Sequence, residues 1–517
     1  MGFITILTAG LFKSISILIV AFILETASDY FDKLFSDPCL AYFIIIFTLL
    51  AIIRGSFDRL MKMTFKHRID ENHDDSPGFQ YDVKQRKSNL AIGKKVLTLL
   101  VIAAPVFYLG YVAVAGTEMQ GYVMQWLNLI VRWTHVVVGI MWIGASFYFI
   151  FLENNLNRTE GIRNELAGNL WAIHGGGFYF LEKYKVAPKK IPRDLHWFKY
   201  EAYLTWISGF VLLWIVYYID PRSFLINPAV ADISAITAIS IGIGILIIGW
   251  FVYDFMCKSR LIQNQLLFSL TGLVLLTALS YFLVNIFSSR GAYIHVGALI
   301  GTLMAGNVFF IIIPSQKALV RAAISGEPLD ATLGTKAQQR SLHNNYLTLP
   351  VIFIMISNHF PATFAHDYNW LILMGIIIAS AGIKHYWNLA ERGVKTKYIL
   401  PMSVAGLLAI ALVSSPMAEG GDPDVDLTIP TTISDVQLII QARCIQCHSV
   451  NPTDQIWRTA PGDIKLDTKE EIQRYADQIM QTTVRTNAMP LGNLTNMTEE
   501  ERIKIHRWIS QGAKIED

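Results

Sequence analysis

Charge is what this sequence has least of. Asp, Glu, Lys and Arg make up 16% of its 517 residues, whereas soluble domains carry about 25%. With 53% hydrophobic residues, a wholly soluble chain is excluded and lipid becomes a partner. The net charge of +3 leaves no electrostatic footprint for nucleic acid. Cysteine is nearly as rare, with four in the chain. Cys39 and Cys257 stand singly at the ends of apolar runs and read as small packing residues. Without evenly spaced cysteines, a disulfide-stapled fold is excluded as well.

What remains is long apolar runs. A span of the hydrocarbon core needs about 20 mostly apolar residues. On that criterion about eleven segments qualify, near 3–24, 40–53, 96–115, 127–152, 202–219, 232–256, 263–287, 293–314, 346–360, 370–389 and 397–414. The first is interrupted by Lys13 and lacks a clean cleavage site, so it reads as a retained anchor. Basic residues crowd the loops 54–95 and 153–201 and recur near 258–260, 317–340 and 392–397. The loops between them are poor in Lys and Arg. This alternation predicts a cytoplasmic N-terminus and an external segment after residue 415.

Residues 416–430 are rich in Gly, Pro and acidic residues and form a linker. The expected organisation is therefore a membrane extension over 1–117, a membrane domain over 118–415, the linker, and a small polar domain over 431–517. The fold class is all-α, with about eight core spans, about three extra N-terminal spans and a helical terminal domain.

The terminal domain carries Cys444-Ile-Gln-Cys447-His448. Two thiols three positions apart on one turn reach the two vinyl groups of a porphyrin, and the next histidine lies under the iron. A bare thiol or metal motif is the competing reading, and the external location disfavours it. This is the arrangement of haem c in a small cytochrome. The sixth ligand is expected at Met489, in a Met-Pro pair some forty residues on, with Met480 and Met497 as rivals. Thr498-Glu-Glu-Glu501 reads as a capping box opening a final helix.

Twelve histidines are present, and the topology sorts the membrane ones into two layers. His135, His295 and His359 fall towards the external side, with His366 in an external loop. His174, His196, His343 and His385 fall near the cytoplasmic side. Ionisable groups in membrane segments are costly and usually functional. Electrons crossing about 30 Å of hydrocarbon need a relay, so His135 and His295 are candidates for an intramembrane haem b or another metal. Each precedes a Gly-x-x-x-x-Gly and an aromatic pair, Gly139 to Gly144 and Gly301 to Gly306. That is either a parallel repeat or the recurrence of small residues on membrane helices.

Two loop strings look chemical. Trp171-Ala-Ile-His174-Gly-Gly-Gly177 offers glycine N–H groups to an anion, or lets helices pack closely. Leu195-His196-Trp-Phe-Lys199 sets aromatics beside a cation, which suits a flat anionic ring or an interfacial belt.

Several strings resemble the bacterial membrane-bound urate hydroxylases (urate oxidases) with a fused cytochrome c domain. They are Trp126-Leu-Asn-Leu-Ile-Val-Arg-Trp-Thr-His135, Ile140-Met-Trp-Ile-Gly-Ala-Ser-Phe-Tyr-Phe149, Trp171 to Gly177 and Leu195 to Ala202. Others are His295-Val-Gly-Ala-Leu-Ile-Gly-Thr302, Arg340-Ser-Leu-His-Asn-Asn-Tyr-Leu-Thr-Leu-Pro350, Ile356 to His359 and Lys384-His-Tyr-Trp-Asn388. The likeness covers roughly 120–517, and residues 1–117 depart from the family pattern. It implies oxidation of urate to 5-hydroxyisourate in the bacterial inner membrane. Electrons would pass to haem c and on to an acceptor such as a soluble cytochrome c or a terminal oxidase. His174, His196 and His343, with Lys199 and Arg340, are the candidates for holding or deprotonating the ring. Two rival functions use the same features: a quinol:cytochrome c electron-transfer subunit, and a transporter with a redox domain.

Overall fold

A computed structural model of the chain describes residues 119–516, apart from 160, 186, 189–190, 193–194, 391, 415–424, 455–459 and 486. The three N-terminal spans expected from the sequence, with the loop 54–95 and Cys39, lie outside the described residues.

The membrane part is a helical bundle. Helix α1 covers Met119–Asn154. A two-stranded antiparallel hairpin follows, β1 (Leu166–His174) and β2 (Gly177–Tyr184). Then come α2 (Tyr200–Leu213), which runs on as a π-helical turn over Trp214–Tyr218, and the short α3 (Pro221–Phe224). Next are α4 (Ala235–Lys258), α5 (Gln265–Val284) and α6 (Ser289–Gly306). Helix α6 continues through a second π-helical turn, Asn307–Ile312, into α7 (Ile313–Ser325). Helices α8 (Ala331–Ser357), α9 (Asn369–Ala390) and α10 (Ile399–Val413) complete the bundle.

The starts are written locally. Ser234, Asn264, Ser288 and Asp330 each cap a helix by accepting a backbone N–H, which satisfies a donor that the helix leaves open. Among the described residues six helical segments are long and apolar enough to cross a bilayer. Helix α8 begins with a polar half, and α10 is 15 residues long.

Helix α6 is the axis of the bundle, buried along most of its length. Glycine lets its neighbours come close. A Cβ at Gly297 would meet Ile354 at 2.5 Å, and one at Gly306 would meet the Trp250 ring at 2.5 Å. Such close approach is how membrane helices gain packing energy when burial from water supplies none.

The hairpin corrects the all-α expectation. Gly175 and Gly176, at φ +58° and +79°, make the two-residue turn that matches the twist of paired strands. The glycine run that read as an anion cradle is thus a hairpin turn. One face carries Trp171, Ile173, Phe178 and Phe180, all exposed.

The terminal domain is a separate small core. Helices α11 (Ile433–Arg443), α12 (Lys469–Arg474), α13 (Ala476–Ile479) and α14 (Glu499–Ser510) surround Ile433, Val436, Ile440, Ile472, Ile505 and Trp508. The expected capping box is present: Glu501 N donates to Thr498 Oγ1 at 3.2 Å, and Thr498 N donates to Glu501 Oε2 at 2.8 Å.

This domain touches the bundle through the turn Leu491–Asn493, against α3. A Cβ at Gly492 would lie 3.1 Å from Arg222 O and 3.3 Å from Ile226 O. Helix α2 separates α3 from the hairpin. The docking turn therefore sits at the end of the bundle opposite the hairpin.

Candidate functional site

The densest polar chemistry lies at the hairpin end, on the first half of α8. Arg340 is buried there. It donates to Asp254 Oδ1 at 2.6 Å and to Asn307 Oδ1 at 3.1 Å. The second oxygen of Asp254 binds Lys258 at 2.5 Å. Asn307, on the π-helical turn after α6, donates to Asn344 Oδ1 at 2.9 Å and to Tyr253 Oη at 2.9 Å. Tyr253 Oη also pairs with His343 Nδ1, 2.8 Å away. The His343 ring stacks on Phe268, with centroids 4.9 Å apart. The π-helical turn, a form frequent at functional sites, is what places Asn307 between Arg340 and Tyr253.

On its other side α8 meets α9. Asn345 Nδ2 donates to Asn388 Oδ1 at 2.9 Å. Asn345 Oδ1 and Asn388 Nδ2 are enclosed and make no hydrogen bond. Each such group costs about 1–3 kcal/mol, so a fold keeps one only for a reason. Lys384, one turn before Asn388 and 2% exposed, sets its Nζ 4.2 Å from the Phe147 ring centroid and 5.7 Å from that of Trp387. Tyr346 Oη and His385 Nδ1 pair at 2.6 Å beside them. Phe147 belongs to the hairpin end of α1, close to where Phe149 packs on Phe198 at 4.8 Å.

The three histidines grouped from the sequence do not form one site. His343 belongs to the buried network. His174 is exposed at the hairpin tip, opposite Gly177. His196 is exposed, its ring against Phe198 and its Nε2 3.8 Å from Glu201 Oε1. Lys199 is buried over the Tyr200 ring at 4.8 Å, and burial pulls its ammonium pKa down. Arg340 is present as expected, but Asp254 and Asn307 engage its guanidinium, so it braces the cluster instead of offering a free cation.

His135 and His295 are also apart. His135 Nδ1 lies 3.1 Å from Thr205 O and 3.1 Å from Ser208 Oγ. His295 is fully buried, with Nδ1 on Gly291 O at 2.7 Å and Nε2 on Tyr218 Oη at 2.9 Å. Their partners Ser208 and Tyr218 are ten residues apart on one helix, about 15 Å of rise. Glycines on facing helices, Gly209 and Gly242, make room for each ring. Since a carbonyl only accepts, His295 Nδ1 carries the proton and Nε2 takes the tyrosine hydrogen. Neither ring nitrogen of His295 is left for iron, so the pair does not fit the two ligands of one intramembrane haem. Among the described residues no group of three His, Cys, Asp or Glu side chains could hold a metal ion.

In the terminal domain, Cys444 closes α11, and His448 N bonds back to Cys444 O at 2.9 Å. His448 Nδ1 donates to Ile464 O at 3.0 Å, which fixes the tautomer and leaves the Nε2 lone pair available to a metal. Burial pulls the His448 pKa down, and that hydrogen bond partly restores it. Burial pushes both thiols up to about 12, with Asp454 adding to the rise at Cys447. Met489 is half-buried. Its N–H donates to Thr482 O at 2.8 Å, and its carbonyl accepts from Arg502 at 2.9 Å. Its rival Met497 is packed into the domain core. Cys444, Cys447, His448 and Met489 thus suit a covalently tethered porphyrin.

Asn307 and Asp254 were missed in the sequence, and Asn344, Asn345, Lys384 and Asn388 entered only within the quoted strings, with no role assigned to them. Their signal was present: amides and charges inside apolar helices are expensive unless used.

No solved structure and no curated protein matches the chain. One family model does, that of the urate oxidase N-terminal domain, over residues 121–415. That stretch is more than half of the sequence and holds the whole of the polar network around Arg340, His343 and Asn345; the chain belongs to the urate oxidase N-terminal family.

Proposed function

We propose that the chain oxidises urate to 5-hydroxyisourate at the hairpin end of the bundle and delivers the electrons to its terminal domain on the opposite side of a bacterial inner membrane. The reaction takes urate and water to 5-hydroxyisourate, two protons and two electrons. One observation carries the reading. The family-matched bundle carries at one end a connected polar network through Arg340, Asn307, Tyr253 and His343, with Asn345 and Asn388 beside it, and the domain with Cys444, Cys447 and His448 docks at the other.

Each part has a chemical task. Asp254, Asn307 and Tyr253 hold Arg340 and His343 in place. The Tyr253–His343 hydrogen bond gives a route for a proton out of the site. Cys444, Cys447, His448 and Met489 would hold a c-type haem, which would supply a one-electron acceptor used twice per turnover. Ile464 and Arg502 hold the segments that carry His448 and Met489. The basic loops favour a cytoplasmic hairpin end, where urate is made.

The test is to add urate to anaerobic membranes containing the full chain and follow the c-type α-band. Reduction is expected, and it is lost in Cys444→Ala/Cys447→Ala. A band that responds to quinol and stays silent to urate would sink the proposal in favour of an electron-transfer subunit.

A further inference from the structure

We infer that Asn345 and Asn388 form a recognition edge for the amide (N–H beside C=O) side of a planar heterocycle. The inference rests on reading the bundle as a urate-oxidising unit and names where that unit reads its substrate.

Two facing carboxamides can satisfy each other fully by two reciprocal bonds. Here they make one, Asn345 Nδ2 to Asn388 Oδ1 at 2.9 Å. The other acceptor, Asn345 Oδ1, and the other donor, Asn388 Nδ2, are enclosed and unbonded. Exchanging O and N in both side chains changes the labels only: one acceptor and one donor stay open. An acceptor beside a donor complements a ring N–H beside a ring C=O. Urate, xanthine and uracil all present that edge.

The surroundings fit the same ligand class. Lys384 lies on the same face of α9 as Asn388, at i and i+4, and is 2% exposed. Phe147 and Trp387, within 4.2 Å and 5.7 Å of its Nζ by ring centroid, supply flat apolar faces. In the neighbouring network the amide of Asn344 is occupied, its Oδ1 by Asn307 and its Nδ2 by Met304 O.

The experiment is equilibrium binding to the purified full chain of urate, its four mono-N-methyl derivatives, xanthine and uracil. The variants are Asn345→Leu and Asn388→Leu, which keep the side-chain outline and remove the polar edge. An unchanged haem spectrum and elution profile control for folding. The wild type is expected to reject at least one N-methyl isomer by tenfold or more relative to urate, because that methyl group blocks the edge. Both Leu variants are expected to bind urate at least tenfold more weakly and to lose that discrimination.

Leu variants that bind and discriminate like the wild type overturn the inference, whether or not urate is turned over. Failure of the wild type to bind any of these rings overturns it too. Discriminating, edge-dependent binding without haem reduction supports the edge and refutes the oxidase reading. Urate oxidation that survives unchanged in both variants refutes the edge and leaves the oxidase reading standing.

Discussion

Tyr218 Oη lies 2.9 Å from His295 Nε2 at the centre of the bundle, and that one bond decides what the histidine can do. With Nδ1 on the Gly291 carbonyl, the imidazole is a neutral bridge between α2 and α6. Removing the tyrosine hydroxyl leaves an enclosed acceptor unpaired, at about 1–3 kcal/mol. Tyr218→Phe should therefore lower the thermal midpoint of the detergent-solubilised protein and leave its visible spectrum unchanged. A spectral change would mean that His295 ligates a pigment after all.

The ion pair between Arg340 and Asp254 predicts a second stability effect. Removing Asp254 leaves the buried Arg340 charge uncompensated and costs about 3–5 kcal/mol, whereas removing Arg340 leaves Asp254 still paired with Lys258. Asp254→Leu should destabilise strongly and Arg340→Met less, and the double variant by less than the sum. Strict additivity in denaturation midpoints would show that the two do not act as a unit.

The sequence and the structure agree best where lipid does the selecting. The run 202–219 became Tyr200–Tyr218, and 370–389 became Asn369–Ala390. Apolar length is a bilayer constraint, so it can be read without tertiary knowledge. Where burial is polar, hydropathy goes blind. Helix α8 begins at Ala331, well before the apolar run from 346, because Arg340, Asn344 and Asn345 are solvated by other side chains. The hairpin was hidden for another reason. Its period-two alternation is masked by aromatics on the exposed face and by three glycines that also suit a loop. Cys444, Cys447 and His448 stand out in the sequence because they lie within five consecutive residues, whereas Asn345 and Asn388 are 43 residues apart and meet only in the fold.

Acid should loosen the terminal domain through Glu501. Burial alone would raise its carboxyl, but hydrogen bonds from Arg443 and from the Thr498 backbone outweigh burial and hold it below its ordinary value of 4.5. A lowered folded pKa stabilises above the unfolded value and is lost as pH falls through the folded one. The wild-type domain should hold its stability down to about pH 4.5 and weaken below that. Glu501→Gln should be weaker at neutral pH and flatter across the acid range. Parallel pH profiles for the two proteins would refute the assignment.

The docking turn offers a test of the electron route that separates contact from backbone strain. Gly492 sits at φ +54°, with Arg222 O and Ile226 O within 3.3 Å of where a Cβ would be. Gly512 is also left-handed, at φ +98°, yet open space surrounds it. Alanine at either position meets a similar backbone cost, about 1 kcal/mol, so Gly512→Ala is the strain control. Gly492→Val adds bulk that the bundle carbonyls cannot accommodate, and it should lift the turn away from α3. Urate binding at the far end of the bundle should be unchanged, because no residue of that site is altered. Electron arrival at the terminal domain should slow at least tenfold in single-turnover measurements, with Gly512→Ala close to wild type. Equal slowing in both variants would trace the loss to a weakened terminal domain, and no slowing in either would show that electrons leave the bundle by another route.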